Sequence, residues 1–192
     1  WVLRAAKQDV DPSPLRGLLQ LASAAEELGD QANQMVIDGK AAMFIQGDWV
    51  NGDYTAKKFD GYGWAPPPGN KGIYDALSDS FGLPKNSKNP ELTKEFLGVL
   101  GSKEGQEQFN ILKGSICART DCDKSLFGEY LQSAMDDWSS NTVVGSLTHG
   151  VVANDSWKSE IDTALGLFLA DGNVANFQAA LVAACASSGP CK

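Results

Sequence analysis

Apolar residues recur at helical spacing along most of the chain. Leu15, Leu18, Leu19, Ala22, Ala25 and Leu28 form one such stripe. Ser13 caps it, Pro14 fits its first turn, and Gly29 is predicted to stop it. A second short helix is predicted over 31–37, with Met35 and Ile37 inward. Beyond the middle of the chain, Asn89-Pro90-Glu91 opens a helix that turns Leu92, Phe96, Leu97 and Leu100 to the core and ends at Gly101. Ser102 caps the next, with Phe109 and Leu112 inward and Gly114 as its stop. Ser125 opens a third, striped by Phe127, Tyr130, Leu131, Ala134 and Trp138. Asp155 caps a long helix carrying Trp157, Ile161, Leu165, Phe168 and Leu169. Asn173 caps the last, with Val174, Phe177, Leu181 and Ala184 inward.

Strand patterns are fewer. Ala41 to Ile45, bounded by Gly39 and Gly47, is a short apolar run that predicts a strand buried on both faces. It runs into Gly47-Asp48-Trp49, a turn that delivers a large aromatic to the strand's carboxyl end, where open α/β sheets place their ligands. Val50 to Phe59 is predicted helical in part, Gly61 to Ala65 a strand, and Ser78 to Leu83 another, closed by Pro84. Pro66-Pro67-Pro68-Gly69-Asn70 is a loop, because three rings fix φ and remove donors. Asn141 to Val152 reads as irregular. Many helices and few strands predict an α/β protein whose sheet lies partly elsewhere.

Composition adds three bounds. With 192 residues, 43% hydrophobic and 21% charged, the chain is an ordinary globular protein of one sizeable domain or two small ones. No apolar run approaches the roughly 20 residues that span a membrane. The chain opens on Trp1 with no leader pattern, so it reads as processed or as a fragment. A net charge of −8 disfavours nucleic acid and anionic membranes as partners. The four cysteines form two close pairs, Cys117/Cys122 and Cys185/Cys191, with gaps that fit neither Cys-x-x-Cys redox chemistry nor the usual zinc spacing. They read as two local disulfides in an oxidising compartment, although four cysteines allow three connectivities.

The run Gly39-Lys40-Ala41-Ala42-Met43-Phe44-Ile45-Gln46-Gly47-Asp48-Trp49 resembles a signature of the extracellular solute-binding proteins (family 1) of carbohydrate ABC transporters. Three further stretches match in order: Asn89 to Leu97, Ser102 to Asn110, and Lys113-Gly114-Ser115-Ile116-Cys117-Ala118-Arg119. Cys117 stands where the family usually has proline, a departure that suits a bridge to Cys122. The closest likeness is to the glucose/mannose-binding subgroup. The resemblance implies the carboxyl-terminal half of a type II periplasmic-binding-protein-like fold, two lobes closing around a sugar. It divides the chain into a first part of the carboxyl-terminal lobe at 1–77, a segment of the amino-terminal lobe at 78–112, and the rest of the carboxyl-terminal lobe with a helical tail at 113–192. It implies an extracytoplasmic bacterial protein, periplasmic or lipid-anchored, whose partners are a sugar, the permease subunits and the missing amino-terminal half. No cofactor is implied.

Sugar recognition needs planar polar groups for hydroxyls and an aromatic face for the ring's C–H side, gathered in a concave site. Trp49 is the leading stacking candidate, and Trp64, before the proline loop, is a second wall or a core residue. Trp138 and Trp157 lie on helix stripes and read as core. The resemblance places ligand contacts at His149 and at Asp79, the hydroxyl-accepting carboxylate of the crossover between lobes. Lys113 is either a sugar donor or a cation at a helix carboxyl end, and Arg119 is a weaker candidate. An oligosaccharide or polyol would suit the same fold. A carbohydrate-active enzyme is the rival from another class, yet the chain has no G-x-S-x-G, H-E-x-x-H or Walker A motif. A disulfide-shaped interaction module is a third reading.

Overall fold

A computed structural model of the protein describes residues 2–5 and 25–191. Trp1 and most of the helix expected over 13–28 lie outside the described residues. The described elements are a strand β1 (Val2–Ala5), a helix α1 (Ala25–Ile37), β2 (Met43–Ile45), α2 (Trp49–Ala56), β3 (Tyr62–Ala65) and β4 (Ile73–Ala76). They are followed by α3 (Pro90–Gly101), α4 (Lys103–Lys113), a 3₁₀ turn at Lys124–Leu126, α5 (Glu129–Ser140), β5 (Thr142–Gly145), α6 (Asp155–Asp171) and α7 (Val174–Ser187). The protein is thus helix-rich α/β with small open sheets. β1 is the centre of a three-stranded antiparallel sheet, with Leu3 opposite both Phe44 of β2 and Trp64 of β3. β4 and β5 form a separate two-stranded sheet.

Two compact units share the chain. Among the described residues the first takes 2–5, 33–74 and 78–142, and the second takes 25–32, 75–77 and 143–191. The first unit is cored by Phe127, Tyr130 and Leu131, against which Trp64, Ile111, Ile116, Met135 and the Cys117–Cys122 bridge pack. In the second unit, α6 and α7 lie against each other through Ala164, Ala184 and the stacked rings of Phe168 and Phe177, 4.9 Å apart. Glu160 of α6 accepts from Ser187 and Ser188 at the end of α7, and Cys185–Cys191 closes the chain behind it. Of the three possible connectivities, the protein therefore has the two local bridges.

Several expectations change. α1 runs on through Gly29 to Ile37 instead of breaking there, and it buries Ala32, Asn33 and Val36, leaving Met35 and Ile37 half-buried. β2 is buried on one face only: Phe44 is inside, whereas Ile45 is 58% exposed. No strand forms at 78–83; the strand lies earlier, where Ile73-Tyr74-Asp75-Ala76 alternates exposed and buried side chains. β5 occupies part of the stretch expected to be irregular. The third predicted helix begins at Glu129 rather than Ser125, with the 3₁₀ turn in front of it. Trp138 and Leu169 were expected in the core but are exposed, as is Val174.

The largest departure concerns α3 and α4. Leu92, Phe96 and Val99 share one face of α3, and all are exposed. On α4 the expected inward residue Leu112 is 82% exposed, while Glu107 and Asn110 are the buried ones. Glu107 accepts from the backbone nitrogen of Asp123, Gln106 from that of Ala118, and Asn110 donates to the Gln106 carbonyl. The polar face of α4 is therefore turned inward to hold the disulfide loop.

Candidate ligand-binding site

The site is built from ends of elements in the first unit. β2 stops at Ile45, and the Gly47-Asp48-Trp49 turn leads straight into α2. A methyl group on Gly47 would stand 2.2 Å from the six-membered ring of Trp49, so the indole lies over Gly47 and only glycine leaves it that room. One helical turn later, α2 meets the end of α4 backbone to backbone. A methyl on Gly52 would stand 2.4 Å from the Lys113 carbonyl oxygen, and one on Gly114 would stand 2.2 Å from the Gly52 nitrogen. Gly114 also has φ of 79°, the left-handed cap that ends α4. This close approach places Lys113 beside the first turn of α2.

Lys113 Nζ donates to Asp79 Oδ2 at 2.6 Å, a pair whose side chains are 32% and 62% exposed. Such a solvent-facing pair contributes only about 0–1 kcal/mol to stability. It nonetheless ties the coil at 77–84 to the end of α4, and Phe81 adds an edge-to-face contact with Phe109. Trp49, Lys113 and Asp79 thus gather in one unit. Trp64 is half-buried, edge-on to Tyr130 at a centroid distance of 5.4 Å. Arg119 is engaged elsewhere, in a two-pronged pair with Asp121 and a bond to the Gly101 carbonyl.

His149 belongs to the second unit. It is exposed in the turn that ends at Gly150, and its Nδ1 lies 2.8 Å from the hydroxyl of buried Ser146.

Sequence reasoning gives Asp48 no role beyond the Gly47-Asp48-Trp49 turn and gives Tyr74 none. In the structure Tyr130 donates to Asp48 Oδ1 at 2.6 Å and Tyr74 donates to Asp48 Oδ2 at 3.2 Å. Tyr74 in turn meets Trp138 edge-on. Burial pushes the Asp48 carboxyl up, and the two phenol donors and the charge of Lys113 pull it partly back. Burial, then the negative charge of Asp48, pushes both tyrosines well above their ordinary range. Nearby Tyr54 is pushed up to about 12, chiefly by burial. The signal that could have found this cluster is the alternation in Ile73 to Ala76, which points Tyr74 inward.

The raised tyrosines set an alkaline limit. Each stays protonated in the folded chain above pH 10, where an unfolded tyrosine ionises. Their contribution is complete below about pH 10 and is lost as pH rises beyond it, at about 1.4 kcal/mol per pH unit for each such group. Urea unfolding at pH 9, 10 and 11 is expected to show this fall, and Tyr130→Phe to reduce its slope. A flat profile would contradict the buried cluster.

Residues 15–107 match the family of bacterial extracellular solute-binding proteins. The matched segment includes β2, the Gly47-Asp48-Trp49 turn, all of α3 and the first turn of α4, and it ends before Lys113. A xylose/arabinose-binding protein of Haloferax volcanii is 36% identical over 159 residues, covering 80% of this chain and 35% of that protein. An uncharacterized ABC transporter extracellular-binding protein of Pyrococcus horikoshii is 32% identical over 143 residues, 72% of this chain and 32% of its own length. A probable sugar-binding periplasmic protein of Brucella suis is 32% identical over 127 residues, 62% of this chain and 30% of its own length. The chain therefore spans about a third of the length of these relatives. Among the described residues no cluster of His, Cys, Asp and Glu is arranged to hold a metal, and no helix is long and apolar enough to cross a membrane.

Proposed function

We propose that this chain is the carboxyl-terminal portion of an extracytoplasmic sugar receptor that delivers its ligand to the permease of an ABC importer. The observation that carries the reading is the Trp49 indole over Gly47, one helical turn from the point where Gly52 meets Lys113, itself paired with Asp79. That set supplies an aromatic face for the ring, a cationic donor and a carboxylate acceptor for hydroxyls. Trp64 forms a second wall of this set, His149 is a separate candidate partner for sugar hydroxyls in the second unit, and the reading takes the whole protein to be a type II binding fold whose two lobes close around the sugar. Closure follows only if the sugar gains contacts in the closed state that the open state lacks. Three lines of support stand behind the reading: the matching family, the sugar-binding names of the relatives, and the exposed faces of α3 and α4. Those faces fit a segment at 78–112 that belongs to a lobe whose remainder is outside this chain.

Glucose is the ligand implied by the subgroup resemblance. A pentose is the second reading, because the Haloferax volcanii relative is named for xylose and arabinose. A thermal melt of the full-length protein with millimolar D-glucose, D-xylose, L-arabinose, D-galactose or maltose separates them. A sugar at about 100 times its dissociation constant adds roughly 2.7 kcal/mol, a shift of several degrees. A shift with glucose alone supports the first reading and a shift with the pentoses the second. A cooperative melt that none of the five sugars moves would sink both.

A further inference from the structure

The sugar reading uses Trp49, Lys113 and Asp79 and leaves the carboxylate that immediately precedes Trp49 unused. Asp48 is the residue at which β2's exit turn becomes α2, and its side chain makes no capping bond to that helix. It points the other way. Its two oxygens accept from phenols on two different elements, Tyr130 on α5 and Tyr74 on β4. Both phenols belong to buried residues, at 4% and 7% exposure. Among the described residues Asp48 makes no ion pair, since Lys113 is bonded to Asp79. Burial works against its charged form. A shielded carboxylate held by neutral phenols rather than a bonded cation keeps its charge against burial, and the two hydrogen bonds offset that cost.

The neighbours show what Asp48 can do. On one side Gly47 lies beneath the Trp49 ring; on the other Trp49 is the first residue of α2.

We propose that Asp48 is a positioning residue for the ligand face: by accepting a hydrogen bond from one phenol on each oxygen it anchors the Gly47-Asp48-Trp49 turn to β4 and α5, and so sets the plane of the Trp49 indole. Asp48 does not touch the sugar in this arrangement; it acts through Trp49. The inference rests on the sugar reading for its purpose, but the placement of Trp49 is measurable without any sugar.

The test uses the full-length protein labelled with 5-fluorotryptophan, its resonances assigned by single Trp→Phe variants. In Asp48→Asn one oxygen still accepts while the other position carries an amide that cannot. The ¹⁹F resonance of Trp49 in the ligand-free protein is expected to shift or broaden, whereas that of Trp157 on α6 stays in place. Affinity for whichever of D-glucose, D-xylose or L-arabinose binds the wild type is expected to fall by about tenfold. Tyr130→Phe, which removes one donor and keeps the carboxylate, is expected to move the Trp49 resonance in the same way by a smaller amount. It serves as the deciding variant if Asp48→Asn does not fold. An unmoved Trp49 resonance would overturn the proposal, and so would a lowered melting temperature with unchanged affinity. If the wild type binds none of the three sugars, the functional reading falls, and the ligand-free resonance alone decides the role of Asp48.

Discussion

Trp49→Ala is expected to weaken sugar binding by roughly 50-fold while leaving the melting temperature within a few degrees of the wild type. The indole is half-buried and lies over Gly47. Covering a large apolar face is worth about 1.5–3 kcal/mol, and stacking adds roughly 0.5–1.5 kcal/mol. Together these correspond to about 2–3 kcal/mol after partial exposure, hence the fold-change. Trp49→Phe restores a smaller ring in the same plane and is expected to recover most of the loss. Isothermal titration with the sugar that shifts the melt provides the measurement. Wild-type affinity in Trp49→Ala would remove Trp49 from the site.

Gly114→Ala is expected to be the most destabilising single methyl in the first unit. The residue sits at φ of 79°, and the added carbon would stand 2.2 Å from the Gly52 nitrogen and 2.6 Å from its Cα. The left-handed backbone costs about 1–2 kcal/mol for a non-glycine residue. The overlap with backbone costs about 1–3 kcal/mol more. A total near 3 kcal/mol lowers the melting temperature by roughly 6–12 °C in a chain of this size. Because Lys113 precedes the altered residue, sugar binding is expected to suffer along with stability. A drop of a degree or less by calorimetry would show that α2 and α4 can separate without loss. Gly52→Ala meets the same contact from the other side, 2.4 Å from the Lys113 oxygen, and should repeat the result in part.

Much of this architecture is legible in the residues alone. Caps give two helices away, with Ser102 accepting from Gly105 and Asn173 from Asn176, whereas the long helix is capped by Asn154, which accepts from Trp157, one residue before the expected Asp155. Gly114 and Gly172 end their helices in the left-handed conformation that their residue type favours. The two close cysteine pairs are the bridges that form. What periodicity cannot tell is which stripe faces a neighbour. Leu92, Phe96 and Leu112 repeat at helical spacing, yet they face outward while Glu107 and Asn110 face in. An apolar stripe says that something covers it, and it does not say that the cover is in the same chain. Period-two signals as short as Ile73 to Ala76 are lost among longer helical ones, which is why β4 was placed several residues late and Tyr74 was missed. The site residues Trp49, Asp79 and Lys113 came from motif resemblance, and the glycines that hold them together emerge only when two backbones are seen to touch.

The loop after Lys113 is fastened at both ends. Its own bridge, Cys117–Cys122, closes it, and Gln106 and Glu107 on α4 accept from its backbone at Ala118 and Asp123. None of these fastenings uses the Lys113 side chain. Position 113 can therefore exchange its side chain for a shorter or uncharged one while the frame beneath it stands. On the proposed sugar reading, a lineage retunes which hydroxyl pattern it accepts by one substitution at a time, with the scaffold inherited unchanged.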